Sequence, residues 1–82
     1  MKEVEVRLYA SLRKYHPGSE SSRALVIKLS DKANLGDLLS ELEIPKEEIA
    51  INIVNGRSEK EGYLLQHKDR IGLFPLIGGG LN

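Results

Sequence analysis

The fold class is decided by residues 34–42, Asn-Leu-Gly-Asp-Leu-Leu-Ser-Glu-Leu, which form the clearest amphipathic helix in the chain. Four leucines recur at spacings of three and four residues and make one apolar stripe: Leu35, Leu38, Leu39 and Leu42. Asn34 is a natural N-cap, and Asp37 three residues later predicts a capping box. Because proline cannot continue a helix, Pro45 limits this one to about three turns.

Segments on both sides of this helix have the patterns of β-strands. Val4, Val6 and Leu8 alternate with polar residues, as in a half-buried strand. Residues 24–29 are rich in aliphatic side chains and predict a second strand, paired with the first as a hairpin. Residues 50–55 predict a third strand, which ends at Asn55-Gly56, a strong signal for a tight hairpin turn.

The remaining segments complete the predicted order of elements. Residues 10–15 and 46–48 predict short helical turns, and the charged residues 57–62 predict a solvated segment. Residues 63–65 predict a short strand, and residues 70–77 predict a last strand with Pro75 at its end. One amphipathic helix can cover one face of one sheet, so these elements predict an α+β domain.

Composition excludes several classes of function. The chain has 82 residues, and its 12 basic and 12 acidic side chains leave a net charge of zero. This balance argues against a general binder of nucleic acid or anionic membranes. With no cysteine, disulfides, thiolate catalysis and cysteine-ligated metals are excluded, and His16 and His67 are too isolated to predict a metal site. No apolar run suits a membrane span or signal peptide, so we expect a cytoplasmic protein.

The C-terminal end holds the most informative residues. Three consecutive glycines at residues 78–80 cannot pack a core. They indicate either a frayed end or a peptide that threads a channel too narrow for a Cβ atom. We therefore predict a domain over residues 1–77 and a flexible glycine-rich tail over residues 78–82.

Several motifs in order give the chain a family resemblance. They are residues 4–15 (Val-Glu-Val-Arg-Leu-Tyr-Ala-Ser-Leu-Arg-Lys-Tyr), residues 34–39, residues 53–57 (Ile-Val-Asn-Gly-Arg) and residues 69–80 (Asp-Arg-Ile-Gly-Leu-Phe-Pro-Leu-Ile-Gly-Gly-Gly). With these, the chain resembles the MoaD/ThiS-type sulfur carriers, relatives of ubiquitin, and most of all the small subunit of molybdopterin synthase. The resemblance implies a ubiquitin-like β-grasp fold, with a mixed sheet of four to five strands covered by one main helix.

The resemblance also implies a function without an active site of its own. In that family a ubiquitin-activating-type adenylyltransferase uses ATP to adenylate the terminal glycine, which then becomes a thiocarboxylate. The sulfur is delivered to a molybdopterin synthase large subunit-like or thiazole synthase-like acceptor, in molybdopterin (or tungstopterin) or thiamine biosynthesis. The carrier is not an enzyme and binds no cofactor itself. By position, Gly79 and Gly80 match the activated terminus, and the partner-binding segment is Phe74, Pro75, Leu76, Ile77 and Gly78.

Two features leave alternatives open. Leu81 and Asn82 follow the glycines, whereas carriers that act directly end at the glycine, so we expect a processing peptidase to remove both residues. Otherwise the chain would be a noncatalytic interaction module with a masked tail, and a ubiquitin-like modifier is a further alternative. We expect Phe74, the only phenylalanine, to pack in the core, with an exposed anchor for a partner as the alternative.

Overall fold

The computed structural model describes residues 1–18 and 23–76. Its strands are β1 (Lys2–Leu8), β2 (Leu25–Leu29), β3 (Ile49–Val54), β4 (Arg57–Ser58) and β5 (Arg70–Pro75). The α-helix is α1 (Leu35–Glu41), and the two 3-10 turns, both predicted, are η1 (Ala10–Tyr15) and η2 (Lys46–Glu48). The predictions for Ile77, Gly78, Gly79, Gly80 and the domain boundary beside them lie outside the described residues.

The strands form one mixed sheet in the order β2-β1-β5-β3-β4. β1 pairs antiparallel with β2, as the predicted hairpin, and parallel with β5. β3 pairs antiparallel with both β4 and β5. A parallel pair needs a long crossover, and the chain between β1 and β5, which includes α1, supplies it. The α+β, ubiquitin-like β-grasp prediction is confirmed.

The core lies between one face of the sheet and α1. On β1, Val4, Val6 and Leu8 are each at most 3% exposed, as their alternation predicted. The leucine stripe of α1 faces them, with Leu35 and Leu38 fully buried. Burying such a side chain contributes about 1.5–3 kcal/mol, so these two faces hold the layers together. None of the helices in the described part of the chain has the length and apolar character needed to cross a bilayer.

Both ends of α1 are closed by local hydrogen bonds. The Asn34 side chain accepts from the Asp37 N–H at 2.8 Å, and the Asp37 carboxylate accepts from the Asn34 N–H at 2.9 Å, which confirms the capping box. The helix ends about one turn before the predicted limit, because Glu43 adopts a φ of +57°. The Ile44 N–H then donates back to the Leu39 carbonyl at 3.1 Å, which closes the helix end in a Schellman motif.

The predicted hairpin turn is present. Asn55 and Gly56 have φ values of +52° and +87°, as a two-residue turn with two left-handed positions requires. The turn leads directly into β4, whose two residues are both exposed, as predicted for this charged segment. The sequence did not predict the strand itself, in which Arg57 pairs with Val54 and Ser58 with Ile53.

The predicted short strand at residues 63–65 was wrong. Only an isolated bridge joins Leu64 to Asn34 there. These residues instead pass the start of α1, where the Tyr63 carbonyl accepts from the Leu35 N–H at 2.9 Å. Their backbone bonds serve the helix N-terminus, so the segment adds no strand to the sheet.

Candidate functional site

An exposed apolar surface lies on the outer face of the sheet, opposite α1, where β3 and β5 pair. This surface contains a shallow depression of about 430 Å³. We call the residues that line it the apolar patch: Ala50, Ile51, Ile53, Phe74, Pro75 and Leu76. Leu76 is 62% exposed, Ile51 44% and Phe74 36%. Large apolar side chains that remain exposed together on a small domain mark an interaction surface.

Phe74 does not pack in the core, so that expectation was wrong. Side chains of β5 alternate between faces, and Ile71 and Leu73 occupy the buried positions. Phe74 therefore points outward, and its ring stacks on that of Tyr9, with centroids 4.3 Å apart and planes 4° from parallel. A Cβ atom on Gly72 would lie 3.3 Å from both rings, so the glycine leaves room for the pair against the sheet.

The end of β5 brings the chain to the edge of the apolar patch. Pro75 pairs with Ile49 at the last position of the strand, as predicted for a proline that has no N–H to donate. The Leu76 N–H donates to the Glu48 carbonyl at 3.3 Å. Leu76 is thus the residue at which the described chain leaves the sheet.

Charged side chains border the aromatic pair on its other side. A second depression of about 230 Å³ is lined by Glu5, Arg7, Tyr9, Ile53, Arg70, Ile71, Gly72 and Phe74. The Arg7 Nε atom lies 3.8 Å from a Glu5 carboxylate oxygen, and both side chains are solvated. An apolar centre with a polar margin is the usual anatomy of a protein interface.

Sequence reasoning missed Tyr9 and Ile51 as members of the site. Tyr9 continues the outward positions of β1, after Glu5 and Arg7, and that alternation was a usable signal. Ile51 and Ile53 share one side of β3 in the sequence, but the pattern alone does not say which side meets the core.

A polar cluster stands beside the exit of β5. The Tyr15 hydroxyl donates to one carboxylate oxygen of Glu48 at 2.7 Å, and the Lys14 ammonium lies 3.4 Å from the other. The hydrogen bond to Glu48 is the main cause that raises the pKa of Tyr15. The same bond is the main cause that lowers the pKa of Glu48. We call Lys14, Tyr15 and Glu48 the exit cluster.

The histidines have local structural roles. Nδ1 of His16 accepts from the Gly18 N–H at 2.9 Å, and Nδ1 of His67 accepts from the Glu3 N–H at 3.0 Å. Within residues 1–18 and 23–76, no group of three or more His, Cys, Asp or Glu side chains could hold a metal ion. The chemistry that the described surface supports is the binding of another protein.

The sheet order and the helix α1 that covers the sheet define a ubiquitin-like β-grasp protein, and the resemblance to the MoaD/ThiS type is confirmed. The model of the Mut7-C ubiquitin family matches residues 1–78. The chain belongs to that family. A search of curated proteins found no match.

Solved structures share the fold over almost the whole chain. A putative molybdopterin converting factor, subunit 1, from Pyrococcus furiosus is 25% identical, with a TM-score of 0.73 over 94% of this chain and 100% of that one. The small archaeal modifier protein 1 of Haloferax volcanii is 20% identical, with a TM-score of 0.73 over the same shares. The Haloferax volcanii HVO 2177 protein is 24% identical, with a TM-score of 0.74 over 96% of this chain and 87% of that one.

Proposed function

We propose that the chain is a sulfur carrier whose Gly80 is adenylated and converted to a thiocarboxylate for molybdopterin (or tungstopterin) or thiamine biosynthesis. One observation carries the proposal: β5 ends beside the apolar patch, and the sequence continues within two residues into Gly78, Gly79 and Gly80. A partner that binds the apolar patch is therefore adjacent to the start of the glycine segment, whose residues have no side chain.

The chemistry belongs to the terminus and to the enzymes that act on it. A carboxylate is a poor electrophile, so the adenylyltransferase joins the Gly80 carboxylate to AMP and releases pyrophosphate from ATP. A sulfur nucleophile then displaces AMP, and the product is the thiocarboxylate. Glycine suits this task because it enters a channel that leaves no room for a Cβ atom. An extended chain advances about 3.3–3.6 Å per residue, so residues 77–80 can reach about 13–14 Å from the domain.

The apolar patch is the proposed docking surface for both partners of this cycle. The ubiquitin-activating-type adenylyltransferase must receive Gly80, and so must the molybdopterin synthase large subunit-like or thiazole synthase-like acceptor. Because each needs the same segment, each uses the face beside Leu76, and they bind in turn. ATP is a substrate of the adenylyltransferase, and the carrier itself holds no cofactor.

Processing is part of the proposal. Gly80 is followed by Leu81, so its α-carboxylate is locked in a peptide bond until that bond is hydrolysed. A peptidase that cleaves after Gly80 supplies the free carboxylate. Intact-mass analysis of the protein from its native cells tests both steps. We expect a form that ends at Gly80, with a fraction in which one oxygen is replaced by sulfur. Finding only forms that extend beyond Gly80 would refute the carrier function.

A ubiquitin-like modifier is the second candidate, supported by the fold shared with the small archaeal modifier protein 1. A modifier uses the same activated glycine but transfers it to a lysine Nζ of a target, with loss of AMP. The two functions leave different products. Branched peptides in which Gly80 is joined to a lysine would identify the modifier, and a thiocarboxylate would identify the carrier.

Reconstitution tests the docking surface. The chain ending at Gly80 is incubated with ATP and the adenylyltransferase, and adenylate formation is measured at varied carrier concentration. We expect Ile51→Asp to raise KM about tenfold or more, because it places a charge at the centre of the apolar patch.

Val26→Asp is the matched control for this substitution. Val26 is 66% exposed and lies on the same face of the sheet, opposite Glu5 of β1 and away from the patch. It should leave KM within about twofold, since substitutions away from an interface centre cost little. Equal increases in KM for both variants would exclude the patch as the docking surface.

The same assay tests processing. Adenylation of the full chain at the rate of the chain ending at Gly80 would show that processing is unnecessary.

A further inference from the structure

We infer that the exit cluster positions the end of β5, because it holds Glu48 where its carbonyl receives the Leu76 N–H. Glu48, Tyr15 and Lys14 are positioning residues on this view, since each acts through the backbone bond to Leu76. The use of this arrangement in activation rests on the proposed function, whereas the arrangement itself can be tested without it.

The backbone ladder is weak at the end of β5. Pro75 has no N–H, and β3 has a register irregularity between Ile49 and Ile51 opposite this position. The bond from the Leu76 N–H to the Glu48 carbonyl is the final backbone hydrogen bond along the described part of the strand. The position of Glu48 therefore decides how firmly Leu76 is held.

Core packing begins only after Glu48, at Ile49, which packs against the core cluster. η2 contains no buried residue and has no side-chain cap at its start. Its ion pair between Lys46 and Glu61, 3.5 Å apart, is solvated and contributes little. The short hydrogen bond from the Tyr15 hydroxyl, supported by the Lys14 ammonium, remains as the specific constraint on the Glu48 side chain.

Tyr15 is itself anchored to the domain. Its ring packs against the core cluster, and Leu12 of the same turn is fully buried. Directly before η1, the Tyr9 N–H donates to the Leu73 carbonyl of β5 at 3.2 Å. A continuous series of contacts thus runs from the core through Tyr15 and Glu48 to Leu76. The lowered pKa of Glu48 and the raised pKa of Tyr15 both favour the charged carboxylate and the neutral phenol that this bond uses.

The functional consequence is that the exit cluster restricts the direction in which the segment that carries Gly80 leaves the domain. Gly80 lies four residues after Leu76 in the sequence, so a change of direction at Leu76 is carried to the terminus. Loss of the exit cluster should affect docking little, because Ile51, Ile53 and Phe74 of the apolar patch lie within β3 and β5. It should reduce the fraction of bound carrier with Gly80 in place. We therefore expect a lower kcat at constant KM.

Amide-proton exchange of the full chain, measured by NMR, tests the arrangement directly. The measure is the exchange rate of Leu76 relative to that of buried Leu73 in the same strand. Tyr15→Phe and Glu48→Ala should each raise this ratio about 2- to 10-fold, the equivalent of one hydrogen bond. Glu48→Gln should stay closer to wild type, because its amide oxygen still accepts from the Tyr15 hydroxyl.

Two matched controls separate this effect from general destabilisation. Tyr63→Phe removes the hydroxyl of another tyrosine that packs on the core, and Glu47→Gln removes a neighbouring charge from η2. Both should leave the ratio unchanged. The inference is overturned if Tyr15→Phe leaves the ratio unchanged, or if Tyr63→Phe raises it equally.

Adenylation kinetics test the consequence, with the chain ending at Gly80, ATP and the adenylyltransferase. Tyr15→Phe should lower kcat about 3-fold or more with KM within about twofold, the opposite of the pattern expected for Ile51→Asp. A raised KM with unchanged kcat would assign Tyr15 to docking and overturn the positioning role. If wild type forms no adenylate, the proposed function fails. The ratio of the Leu76 and Leu73 exchange rates then still tests whether the exit cluster holds the end of β5.

Discussion

Substitution of Asn55 tests how the turn between β3 and β4 is secured to β5. The Asn55 side-chain oxygen accepts from the Arg70 N–H at 2.9 Å, and its amide donates to an Asp69 carboxylate oxygen at 2.7 Å. Asp69 is 5% exposed, so its carboxylate depends on such donors. Asn55 also has a φ of +52°, which asparagine tolerates better than alanine.

The expected cost of Asn55→Ala has three parts. The bond to the Asp69 carboxylate is charge-assisted and contributes about 1.5 kcal/mol. The bond from the Arg70 N–H contributes about 0.5 kcal/mol, because water can replace it at this exposed turn. The left-handed backbone costs alanine about 1 kcal/mol more. We therefore expect a loss of about 3 kcal/mol in the free energy of unfolding, and about 2 kcal/mol for Asn55→Gly, which keeps the backbone unstrained.

Urea unfolding, monitored by circular dichroism, measures these differences. The slope of the unfolding free energy against urea concentration should be the same for all variants. Ser58→Ala is the control, since Ser58 is an exposed residue of β4 and should change stability by less than about 0.5 kcal/mol. The reasoning is refuted if Asn55→Ala costs no more than Ser58→Ala. It is also refuted if Asn55→Gly is the more destabilising of the two Asn55 variants.

Two further predictions concern a buried charge and a surface carboxyl. Lys2 is 5% exposed and its ammonium donates to the carbonyls of Asp31, Ala33 and Leu65. Lys2→Met should therefore cost about 2–4 kcal/mol by thermal unfolding, whereas the control Lys28→Met, on the exposed face of β2, should be nearly neutral. The hydrogen bond from Tyr15 lowers the pKa of the Glu48 carboxyl in the folded protein. It therefore stabilises the fold fully at pH values above the pKa of this carboxyl in the unfolded chain. The stabilisation is lost as the pH falls through the pKa of Glu48 in the folded protein. The Tm difference between wild type and Glu48→Gln should shrink in acid, and a difference that is constant with pH would contradict this.

Local patterns predicted most elements because their causes are local. Asn34 and Asp37 lie on one helical turn, so their capping box could be inferred from spacing. Asn55 and Gly56 tolerate left-handed backbone, so the hairpin turn could be inferred from composition. The end of α1 could not, because Glu43 adopts its positive φ only where hydrogen bonds and the burial of Ile44 hold it there.

The candidate site was predicted in part for the same reason. Phe74, Pro75 and Leu76 were identified through the family resemblance, and the structure places all three at the apolar patch. Tyr9 and Ile51 were missed because they reach Phe74 only through pairing between distant strands. The exit cluster was missed because Tyr15 and Glu48 lie on separate 3-10 turns that meet only in the folded domain.

The sequence by itself determined the α+β class, the α1 cap, the hairpin turn and the three consecutive glycines, because each depends on the covalent and conformational properties of neighbouring residues. Only the tertiary structure decided which faces of the strands are exposed. Burial of Ile71 and Leu73 in the core cluster turns Phe74 outward, and insertion of β5 between β1 and β3 brings Tyr9 and Ile51 beside it. Such contacts depend on hydrophobic burial summed over the whole domain, which periodicity in any one segment does not encode.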